Sequence, residues 1–193
     1  PEGRTLWTGK RDIPWDTVVP LGAELVIDAG TTVGFGASDF AVRGRSAQFV
    51  ELTVEGTLRV QGSETDPAIL TVDTTDLQAG WFGVVMEPGA VVAANHLVVE
   101  RAAVGITGAV TPDGHLALAD CRFQVCGRGL NVTVFDEVTV DRTTFDFITL
   151  NAVRAGGTGI VRLRNSTISS IGLDGISLAN CNLEAIGVMV EET

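Results

Sequence analysis

Lysine is nearly missing from this chain: of 13 basic residues only Lys10 is a lysine, and 24 acidic residues leave a net charge of −11. Such a surface repels phosphate backbones and anionic headgroups, so neither nucleic acid nor insertion into a membrane is expected. No apolar run reaches 18 residues, which excludes a hydrophobic membrane-spanning helix. Cysteine is scarce as well. Cys121, Cys126 and Cys181 are too few for a disulfide scaffold and odd in number. A Cys121–Cys126 pair and three buried free thiols both remain open. No C-x-x-C spacing is present, so no structural zinc site is expected. His96 and His115 stand 19 residues apart and read as outward-facing surface residues. No secretory leader is visible before Pro1, and that start fits a processed, secreted chain.

What the chain does have is a period. Val84, Ile106, Leu130, Val153 and Ile176 follow one another at steps of 22, 24, 23 and 23, four of them directly after a glycine. Leu116, Val138, Val161 and Leu183 form a second track, and Phe123, Phe145, Ile168 and Val190 a third, both at steps of 22 or 23. Within each repeat apolar and polar residues alternate, as in Glu137-Val138-Thr139-Val140-Asp141, which is strand period. Helical repeats need about 33 residues or more and a period near 3.6. Three strand tracks sharing one period predict an all-β fold: a three-faced parallel β-helix of about eight coils at ~4.8 Å per coil. Residues 1–193 are expected as a single domain, with 1–16 as an N-terminal cap segment lacking the period and 17–193 as coils. Looser spacing in the first half places insertions at Ser38 to Ser46 and Gly62 to Pro67.

The run Glu51 to Val72, the Gly80-Trp81-Phe82-Gly83-Val84-Val85 stretch, and the segments Ala119 to Leu130 and Arg164 to Ile176 resemble right-handed parallel β-helix proteins of bacterial surfaces. Those share the pectate-lyase-like architecture, and the resemblance covers roughly residues 18–190. It implies an extracellular or cell-surface location. On function it is nearly silent, because that architecture hosts lyases, hydrolases, adhesins and inert scaffolds.

Enzymes of this architecture need carboxylates grouped on one outer face of adjacent coils, to bind calcium or to act as acid and base. By register the candidates are Asp120, Asp141 and Arg142, and they are poor ones, since no histidine or further acid converges on them. Asp113 and Asp174 each precede a glycine and read as turn residues. Gly34 to Asp39 is a glycine-containing fragment without a following helix, hence a turn rather than a phosphate loop. No cofactor is expected, and a calcium site lacks support. The expected function is therefore a non-catalytic structural module. A polysaccharide lyase or glycoside hydrolase is the alternative, and a carbohydrate-binding adhesin a further one. Partners are then a polysaccharide or further copies of the chain. Self-association is expected at the open solenoid ends, through Val188 and Val190 at one end and Trp7 and Trp15 at the other, stacking copies into a fibre.

Overall fold

The computed structural model describes residues 3–39, 44–74, 80–111 and 113–191. Alternation becomes strand throughout, and no helix occurs among the described residues. Each strand pairs in parallel with its equivalents in the neighbouring coils, giving sheets of eight, eight and seven strands. Face 1 runs from Arg4–Trp7 to Asn182–Ile186, face 2 from Lys10–Ile13 to Met189–Glu191, and face 3 from Thr17–Val19 to Ile176–Ala179. The chain is a three-faced parallel β-helix of about eight turns.

The three sequence tracks are the three inward columns. Val84, Ile106, Leu130, Val153 and Ile176 are successive ladder partners on face 3. Leu116 to Leu183 run down face 1, and Phe123 to Val190 down face 2. All are buried until the last coil, where Leu183 and Val190 are exposed. The glycines before the face 3 column have a packing cause. A β-carbon on Gly105 would lie 2.5 Å from Cδ1 of Phe123, and one on Gly129 2.5 Å from Cδ1 of Phe145. Those rings stack at 5.1 Å and 12°, in the volume that a side chain would take.

From His96 onward, corners between faces 1 and 2, and between faces 2 and 3, turn on a single residue in the left-handed region. Along the first corner stand His96, Asp120, Arg142 and Asn165 (φ 45° to 55°), and along the second Arg101, Val125, Phe147 and Ser170 (φ 53° to 54°). At the first corner each turning N–H still reaches the coil below. Asp120 N donates to Asp141 O at 3.1 Å and Arg142 N to Arg164 O at 2.9 Å. The ladder therefore continues around the bend, and no backbone donor is stranded there.

Four expectations change. Within the segment expected to lack the period, Arg4–Trp7 and Lys10–Ile13 pair with the next coil as ordinary strands. Their inward positions hold Thr5, Trp7, Arg11 and Ile13, and the polar Thr5 and Arg11 dilute the apolar alternation that marks later coils. Gly34 and Phe35 lie in strand rather than turn, with Phe35 stacked on buried Trp81 at 4.2 Å. His96 sits on a corner and only His115 on a face. Surplus length also enters between Val72 and Gly83, a third insertion whose residues 75–79 lie outside the described residues, as do 40–43 of the Ser38 to Ser46 insertion.

Gly129→Ala is expected to lower stability by about 1–3 kcal/mol through overpacking against the Phe145 ring and the Ala152 carbonyl, each 2.5 Å from the added carbon, and Phe145→Leu in the same chain should relieve only the ring's share. Urea melts of the two variants check this. A parent-like Gly129→Ala would show that the ring does not need that space.

Candidate functional site

Asp120, Asp141 and Arg142 do come together, at the corner between faces 1 and 2. Asp120 and Arg142 occupy the same corner position in successive coils, while Asp141 ends a face 1 strand beside Arg142. Arg142 donates from Nε and Nη2 to the two oxygens of Asp120, both at 2.7 Å, and from Nη1 to Asp141. Asn165, one coil further, donates from Nδ2 to Asp141 Oδ1 at 3.1 Å. Hydrogen bonding to the Arg142 guanidinium holds the Asp120 carboxyl below the usual carboxylate range, against a smaller opposing effect of burial. The same contact raises the pKa of Arg142.

This arrangement does not make Asp120 a general acid. A general acid needs its pKa raised so that it keeps a proton at neutral pH, and Asp120 moves the other way. Both carboxylates are bridged by one cation on an outward corner. What the cluster does is tie three successive coils together. Inside the same corner Cys121 Sγ, Thr143 Oγ1 and Ser166 Oγ each donate to the carbonyl two residues earlier in their own coil, at 3.2, 3.0 and 2.7 Å, and Thr143 N reaches Ser166 Oγ in the next coil at 3.1 Å. All three cysteines are free, which removes the Cys121–Cys126 pair. Burial pushes the thiols of Cys121 and Cys126 up to about 11.

A second acidic group, missed in the sequence, lies on the outer side of face 3. Glu51 is 1% exposed. Its Oε2 accepts the N–H groups of Arg45 (2.8 Å) and Ser46 (3.3 Å), its Oε1 the hydroxyl of Thr53 (2.8 Å), and its own N–H donates to Asp16 Oδ1 at 2.9 Å. Arg45 reaches on to Glu87 at 2.8 Å. With Glu55 these groups line an open depression of about 440 Å³. The signal was available: Glu51, Thr53 and Glu55 alternate on one strand, and Glu87 follows Met86, the ladder partner of Val54. Glu51 fastens the segment entering that strand to the rod. Among the described residues no three His, Cys, Asp and Glu side chains gather as a metal site, and no helix is long and apolar enough to cross a membrane.

The end residues are also placed. Val190 is 61% exposed and lines an open depression at the last coil, and Val188 is half-buried against the core. Trp7 packs partly on the core at the first coil, and Trp15 is 58% exposed. Comparison with protein-family models, curated protein sequences and solved structures gives no match.

Because the pKa of Asp120 is lowered in the fold, its pairing stabilises above the unfolded value near about 4. That contribution is lost as pH falls through the lower folded value. Asp120→Asn is thus expected to reduce stability by about 1 kcal/mol or less near neutral pH, with the deficit vanishing in acid. Urea melts of both chains at neutral and strongly acidic pH read this, and a pH-independent deficit would contradict the ion-pair account.

Proposed function

We propose that this chain is a non-catalytic structural β-helix module of an extracellular or cell-surface assembly, in the manner of the bacterial surface β-helix proteins that its repeats resemble. The observation that carries the reading is the use made of charge. Glu24 is shared by Arg4 and Arg59, Asp120 is clasped by Arg142, Glu184 is shared by Arg162 and Arg164, and Arg122 reaches Asp146. Each of these pairs joins neighbouring coils. Single surface pairs are worth little, but a network repeated along a rod resists shear between coils. An enzyme would instead hold such groups towards a substrate.

The fibre form of this proposal, copies stacked end to end, meets one opposing feature. The inward columns begin with Thr5, Arg11 and Thr17, whose ladder partners are Leu25, Val33 and Leu52. A copy seated there would bury the Arg11 guanidinium, at a cost of several kcal/mol unless it finds an acid.

Incubation with acidic and neutral polysaccharides, with calcium, followed by assays for unsaturated ends and reducing ends, tests the proposal. No product above the blank is expected. Turnover abolished by Asp120→Asn would replace the structural reading with a lyase or hydrolase at the corner. Turnover abolished by Glu87→Gln would place that enzyme at the acidic depression.

A further inference from the structure

The corner between faces 2 and 3 carries a conformational anomaly. Val125 and Phe147 stand in the left-handed region at φ 54° and 53°, which β-branched and bulky residues avoid. Both are also exposed, by 54% and 62%. Neither the local backbone nor water favours these side chains here. Residues held in this way need a compensating interaction, and burial in the folded chain does not supply one. Beside them, one step towards face 3, Leu150 donates its N–H to Gly127 O at 2.9 Å and Leu173 its N–H to Leu150 O at 3.1 Å. Gly127, Leu150 and Leu173 thus form one column, with Leu173 65% exposed. One residue further, Arg128, Asn151 and Asp174 form the next column, by the pairing of Leu130 with Val153 and Val153 with Ile176.

From this pattern we infer that the corner is a self-complementary surface on which a second copy of the chain docks, antiparallel, about a two-fold axis at Phe147. Such an axis keeps each column facing itself and reverses its direction. Phe147 and Leu150, on the central coil, meet their counterparts. Gly127, one coil above, meets Leu173, one coil below, so the missing side chain of one copy receives the leucine of the other. Arg128 meets Asp174, and the symmetry makes that contact twice. Arg128 is half-buried and Asp174 is exposed. An unrelated apolar partner has no reason to find opposite charges equally spaced on either side of the apolar centre. This contact leaves the ends of the rod untouched and is independent of the structural reading above.

Sedimentation velocity of the 193-residue chain between about 1 and 100 μM tests the inference, and a monomer–dimer equilibrium is expected. Phe147→Asn should weaken the dimer about tenfold or more, while the thermal midpoint stays or rises, because Asn accepts the left-handed conformation. Asp174→Arg, at an exposed position, should weaken it by bringing Arg128 against a like charge, and adding Arg128→Glu should restore it. A strictly monomeric chain overturns the inference. So does a double variant that, with a parent-like melt, associates no better than Asp174→Arg alone. Association that grows past the dimer and ignores Phe147→Asn also overturns it, and places the contact at the coil ends.

Discussion

Everything in this rod depends on a parallel hydrogen-bond ladder that does not stop at the corners. On the faces the ladder is ordinary sheet. From His96 onward a single left-handed residue turns the chain at the bend between faces 1 and 2, and its N–H still reaches a carbonyl one coil below, as from Asp120 to Asp141. The bend is so short that successive coils have nearly equal length there, which keeps side chains of one position above one another. Columns of leucine, of phenylalanine and of paired charge all follow from that alignment.

Packing inside the rod adds a second layer of constraint. Phe123 and Phe145 stack because Gly105 and Gly129 leave them room, and Cys121, Thr143 and Ser166 turn their polar atoms back to a nearby carbonyl. A thiol and two hydroxyls serve one position, since each is small and each donates one bond. This explains a free, buried Cys121 without a disulfide. Its role is that of a hydroxyl.

The columns were legible in the sequence because stacking repeats a residue type at a fixed interval, and Val84 to Ile176 shows it directly. The first coil was not, because Thr5 and Arg11 occupy positions where the interval calls for apolar residues. The Asp120–Arg142 neighbourhood was legible as a register and unreadable as a role, since the direction of the Asp120 pKa shift depends on both guanidinium contacts closing. Glu51 and Asp16 escaped notice because the ladder that pairs Thr17 with Leu52 joins them across an insertion, 35 residues apart, a distance that no period predicts. Single-residue corners were equally hidden: Val125 and Phe147 are residue types that sequence reasoning does not assign to left-handed turns.

The ladder-preserving corner also governs how such a chain can change length. Removing one residue from a strand would turn every later side chain of that strand inside out, and removing one from a corner would break its handover. Loss or duplication of a whole coil does neither, because the flanking coils meet again in the same register, with new contacts only at the junction. Genetic change in this rod is thus quantised in units of one coil, apart from places such as Gly62 to Pro67, which stand between two paired strands where later coils turn on one residue. Its length is free to drift by whole turns, while its cross-section is held fixed.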